Sequence, residues 1–192
     1  MAYSITELNQ MNQDEFVAIL GEVFEETPSI AAQAWQRRPF QNGSELHQSM
    51  VNIVMTMSLE KQDALICAHP DLGSKAKMAD ASVQEQAGVG LDLLLSEEYE
   101  TLQRFNQQYK ERFGFPFIIA VKNHTKASIL EAFAERLQNS KDVERQQALT
   151  EIFRIAQFRL QGLILCWRIE LTAPVLAKTL RPHTVCVLEI KR

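Results

Sequence analysis

The chain has 192 residues, 46% of them hydrophobic, enough for one well-formed core and too few for two. Its formal net charge of −4 and its scattered lysines and arginines point away from nucleic acid and anionic membranes, leaving small molecules or copies of itself as partners. Three widely spaced cysteines, Cys67, Cys166 and Cys186, form no Cys-x-x-Cys pattern, so neither a disulfide framework nor a zinc site is suggested and a reducing, cytoplasmic setting is expected.

The residues from Met1 to Ile5 show no basic start followed by an apolar run, and later apolar stretches are broken by charge, so neither export nor a membrane span is expected. Asn12, with Glu15 three residues on, opens a helix through Phe16, Leu20 and Val23. Ser29 and Ser44 read as the next caps, the second ahead of Leu46, Met50, Ile53, Val54 and Met57 on one face. A short helix from about Ser58 has to stop near His69, because Pro70 disfavours helical backbone in the residue before it. Ser96 caps a helix carrying Tyr99, Leu102, Phe105, Tyr109 and Phe113, and Gly114 stands where a left-handed terminator is expected. The run 115–121 has no second strand to pair with and reads as a buried extended segment. Thr125 opens a helix through Ile129, Leu130, Phe133 and Leu137, and Asp142 opens the last long one. The expectation is an all-α, irregular single-domain bundle of about eight helices over 1–165, with residues 166–192 as a C-terminal tail.

Chemistry concentrates in a few places. His69 is locked before a proline at a helix exit, where the dipole favours its charged form, and an imidazole there can move protons near neutral pH. Ser82-Val83-Gln84-Glu85-Gln86 has the capping-box spacing, and a helix start also presents free N–H groups to an anionic or carbonyl-rich ligand. Arg159 follows Ala148, Ile152 and Ile155 on one helical stripe, so its guanidinium faces inward and needs an anion. That anion is either an internal carboxylate or a substrate carboxylate or ureide-like group. The backbone of Phe117, Ile118, Ile119, Ala120 and Val121 is without helical partners and suits a planar heterocycle. His47, His124 and His183 lack such context and read as surface or turn residues.

Several separated motifs occur in order: His-Pro-Asp-Leu-Gly at 69–73, Ser-x-x-Glu-Gln-Ala-Gly-x-Gly-Leu from Ser82, Phe105-Asn106 with Tyr109, Phe113-Gly114-Phe115-Pro116-Phe117-Ile118, and Arg159-Leu160. Together with Arg38-Pro39-Phe40 they resemble the 2-oxo-4-hydroxy-4-carboxy-5-ureidoimidazoline (OHCU) decarboxylase family of uric acid degradation, from about Leu8 to Leu163. The resemblance implies an all-helical fold, no metal or organic cofactor, a homodimer, and release of CO2 to give (S)-allantoin. It implies His69 as the catalytic histidine and Glu85 as its carboxylate partner. Pro70, Ser82, Val83, Gln84, Gln86, the segment from Phe117 to Val121 and Arg159 become substrate contacts. Residues beyond about Gly162 do not match; Leu171 to Leu176 faintly echoes the opening of hydroxyisourate hydrolase, with Pro174 where that motif has histidine. Two other readings remain: a helical binding module, which needs a long exposed apolar groove, and a hydrolase of a related ureide, for which no activated nucleophile or metal cluster is evident.

Overall fold

A computed structural model describes residues 2–74, 85–86, 90–91, 94–165 and 167. Ser82, Val83 and Gln84, and the tail apart from Trp167, lie outside the described residues. The described chain is all-α: α1 (Ile5–Gln10), α2 (Gln13–Leu20), α3 (Pro28–Trp35), α4 (Gly43–Met55), α5 (Leu59–Cys67), α6 (Ser96–Phe113), α7 (Lys126–Arg136) and α8 (Lys141–Leu163), with 3-10 turns at Gly21–Val23 and Val121–Asn123. Among the described residues no helix is long and apolar enough to cross a membrane.

Side chains near the helix starts account for most boundaries. The Asn12 side chain accepts from the Glu15 N–H at 2.9 Å while Glu15 reaches back to the Asn12 N–H, and Thr125 and Ser128 make the same reciprocal pair. Four expected starts shift by one or two residues. Thr27 precedes α3 in place of Ser29, because Pro28 takes the first helical position, where its missing N–H costs nothing. Asn42 caps α4 in place of Ser44, its Oδ1 accepting from Glu45 N–H at 2.9 Å. At α6 the cap position is Leu95, whose N–H is satisfied by the Glu98 carboxylate, and Ser96 is already helical. Ser140, not Asp142, caps α8.

Helix α8 is the central pillar, touching α4, α5, α6 and the turn Gly21–Val23, while α2, α3 and α4 pack in sequence at one end. Its inner stripe includes Ala148, Ile152, Ala156 and Leu160, all essentially buried against Leu46, Met50 and Val54 of the same core. Gly114, at φ +82°, ends α6 in the left-handed region that glycine adopts without strain. Pro116 cannot donate to a helix, and Phe115 to Ala120 runs buried and without helix or strand until Val121 enters a 3-10 turn. Phe117 stacks on Phe133 with ring centroids 3.6 Å apart and meets Tyr109 edge-on at 5.2 Å, anchoring the segment to α6 and α7.

Charged groups secure its backbone from behind. Arg136 donates to the Ile118 carbonyl at 2.7 Å and to Glu144, which also receives the Tyr109 hydroxyl and the Asn139 amide. Burial pushes the Tyr109 phenol well above its usual pKa, so it remains a donor to Glu144. Glu151 accepts the Ala120 N–H at 3.0 Å. The N–H groups of Phe117, Ile118 and Ile119 have no partner among the described residues.

Candidate active site

The exit of α5 delivers His69 to an open cavity of about 570 Å³, mouth included. Pro70, Leu72, Glu85, Gln86, Phe117 to Lys122, Ile155, Phe158 and Arg159 complete its lining, and the size suits a small heterocycle. The turn after His69 is tied down on both sides. Asn106 and Lys110 of α6 hold the Leu72 carbonyl at 2.8 Å and the Asp71 carboxylate at 3.0 Å. Gln86 accepts the Gly73 N–H at 2.9 Å, linking the His-Pro-Asp-Leu-Gly turn directly to the residue after Glu85. Gly73 has φ +69°, the left-handed region that glycine adopts without strain, so the turn needs glycine for its conformation.

His69 is 8% exposed, and its Nδ1 lies 3.0 Å from the Leu65 carbonyl. A carbonyl only accepts, so Nδ1 carries the proton and Nε2 presents its lone pair; Nε2 has no partner among the described residues. Burial lowers the His69 pKa to about 4, against smaller upward pulls from the Leu65 bond and the Glu25 charge. The charged form expected from the helix dipole is therefore displaced by the neutral one, because removing an imidazolium from water outweighs a terminal partial charge.

Arg159 does face inward, and carboxylates of the chain itself meet it. Its Nε and Nη2 fork onto Glu85 at 3.0 and 3.1 Å, while Nη1 reaches Glu25 at 3.1 Å and the Glu22 carbonyl at 3.1 Å. Burial opposes the guanidinium's charge, but Glu85 and Glu25 more than offset it and its pKa rises. The internal ion pair, one of the two arrangements open in the sequence, is formed. His69 and Glu85 share the cavity without bonding to each other; the Leu65 carbonyl orients the imidazole and Arg159 orients Glu85.

Ten of the sequence-selected residues line this one cavity: His69, Pro70, Glu85, Gln86, the five from Phe117 to Val121, and Arg159. Glu25 was not singled out, though its side chain is only 2% exposed beside Arg159. The only signal for it was the unmet charge of the inward arginine. Lys122 and Phe158 were also missed, since a lysine after an apolar run and one more aromatic on a helix carry no pattern of their own. His47 corrects the surface expectation: it is half-buried, bridges α4 to the Phe153 carbonyl of α8 at 2.9 Å, and burial lowers its pKa. His124 is also half-buried and lies 3.2 Å from the Ser128 hydroxyl. Among the described residues no group of three or more His, Cys, Asp or Glu could hold a metal ion.

The sequence profile described as OHCU decarboxylase matches residues 9–161. The chain belongs to the OHCU decarboxylase family. It is 42% identical over 160 residues to the 2-oxo-4-hydroxy-4-carboxy-5-ureidoimidazoline decarboxylase of Halalkalicoccus jeotgali, covering 83% of this chain and 91% of that protein. It is 44% identical over 162 residues to the uric acid degradation bifunctional protein PucL of Bacillus subtilis, covering 84% of this chain and 33% of that longer protein. The OHCU decarboxylase fold is also shared with solved structures. A crystal structure of (S)-allantoin synthase superposes with a TM-score of 0.67 at 28% identity, over 84% of this chain and 54% of that one. An OHCU decarboxylase crystallised in the presence of (S)-allantoin superposes at 0.61 with 23% identity, over 79% and 97%.

Proposed function

We propose that the His69 cavity removes the carboxylate of 2-oxo-4-hydroxy-4-carboxy-5-ureidoimidazoline to give (S)-allantoin and CO2 in uric acid degradation, without a metal or organic cofactor. The observation that carries this reading is the meeting, in a member of this family, of a neutral histidine, a fixed carboxylate and a stretch of uncommitted backbone N–H groups in one cavity.

The chemistry asks little of a protein beyond positioning. When the carbon–carbon bond to the carboxylate breaks, its electron pair passes into the adjacent ring C=N. The ring nitrogen that receives the pair takes a proton from water. The resulting enol collapses to a carbonyl as it gives its hydroxyl proton to His69 and the ureido-bearing carbon takes one back, so that one proton from water is consumed per CO2 released. Backbone N–H groups of Phe117 to Ile119 stabilise charge arriving on the ring and hold it flat, with the carboxylate out of plane. His69 Nε2 accepts the substrate hydroxyl and takes its proton as the carbonyl forms. Glu85, immobilised by Arg159, and Gln86 bind the ureido N–H groups and present one face of the ring to the proton; Ser82, Val83 and Gln84 extend that contact. Arg159 acts by fixing Glu85. We further propose residues 1–165 as the catalytic unit, a cytoplasmic location and a homodimer. Light scattering on the purified protein checks the dimer against 21.9 kDa per chain.

The protonation state of His69 gives the reading a pH signature. A base must be neutral, and the folded pKa lies near 4 rather than 6.5. The kcat/KM is expected to stay level as pH falls through 6.5 and to drop only as it approaches about 4, measured as CO2 release from substrate prepared at neutral pH and diluted into each buffer. An inflection at 6.5 contradicts a buried neutral base. Release of a hydrolysed ureide with no CO2 would instead identify the hydrolase.

A further inference from the structure

Lys122 stands at the rim of the cavity, in the 3-10 turn that ends the buried segment. It is exposed, its Nζ lies 4.9 Å from the centroid of the Phe158 ring, and it makes no salt bridge to any described carboxylate. The interior cation is differently placed: Arg159 is forked onto Glu85 and also paired with Glu25. Among the described residues that cluster sets one cation against two carboxylates, and the neutral His69 adds no positive charge to it. An exposed ammonium in the same lining is suited to an anionic substrate.

We propose that Lys122 receives the substrate's carboxylate and that Phe158 steadies the ammonium over the cavity mouth. This rests on the decarboxylase reading above. It orients the substrate, with its ring inward along Phe117 to Val121 and its departing group outward toward solvent. Sited at the mouth, the ammonium attracts the negative charge about equally in the bound substrate and as the carbon–carbon bond begins to break, before CO2 leaves neutral. Lys122 is accordingly a uniform-binding and specificity residue, expressed in KM rather than in kcat.

Steady-state kinetics of Lys122→Met and Lys122→Arg test this. The methionine variant is expected to raise KM roughly tenfold with little change in kcat, and the arginine variant to restore KM. Wild-type KM should rise with added salt while that of Lys122→Met responds less, and inhibition by (S)-allantoin, which has no carboxylate, should be alike in both proteins. An unchanged KM in Lys122→Met overturns the proposal. So does an equal weakening of substrate and allantoin, which marks a change of cavity shape instead of a lost charge. A folded wild-type protein that releases no CO2 overturns the decarboxylase reading, and this inference with it.

Discussion

Replacing His69 by Asn is expected to lower turnover by roughly a hundredfold or more, about 2.7 kcal/mol in the barrier, while leaving the fold intact. Asparagine is the informative substitution because its side-chain amide can occupy the place of Nδ1 and keep a donor toward the Leu65 carbonyl, now met at 3.0 Å. What it removes is Nε2, the lone pair on the cavity side. Steady-state CO2 release, with far-ultraviolet circular dichroism to establish folding, separates the outcomes. Near-normal kinetics in a folded His69→Asn protein would refute proton transfer by His69 and leave the backbone of the extended segment to supply most of the catalysis.

Arg159→Met is expected to cost about 3–5 kcal/mol of stability, because it strands two carboxylates around a cation of which 6% of the side chain is exposed. Glu25 bears most of this, at 2% exposed; Glu85, at 28%, can turn toward water. Methionine has a similar reach, so the lost volume is small and the effect is electrostatic. Urea unfolding gives the magnitude, and a second substitution, Glu25→Gln, should recover part of it by removing the stranded charge. A single variant within about 1 kcal/mol of wild type would show that the buried pairs contribute little net stabilisation, as happens where desolvation cancels attraction. Activity should fall further than stability alone explains, since Glu85 loses the fork that fixes its carboxylate.

Local signals in the sequence carried much of this structure. Gly114 and Pro116 dictate that α6 stops and an extended segment follows, and Pro70 dictates that α5 stops at His69; both are backbone constraints that tertiary packing cannot override. The helix starts were legible to within two residues because several polar residues compete for each cap, and the choice at Asn42 over Ser44 turns on which side chain reaches the Glu45 N–H. The inward direction of Arg159 followed from helical spacing. Its partners did not, since Glu25 and Glu85 come from segments 60 residues apart in the chain and nothing local announces either. The charge state of His69 was illegible for a related reason: the dipole at a helix exit can be read from neighbours, but the burial that overrides it comes from the whole fold.

A cavity that sets both the loss of CO2 and the face that is protonated leaves its mark in the stereochemistry of the product. Substrate can be made in place from urate with urate oxidase and hydroxyisourate hydrolase, and allantoin followed by circular dichroism alongside CO2 release. Prompt, matched appearance of (S)-allantoin and CO2 is expected, well ahead of the slow background, which gives no net signal because it is racemic. A trace indistinguishable from the protein-free control, with the protein shown to be folded, would contradict that expectation.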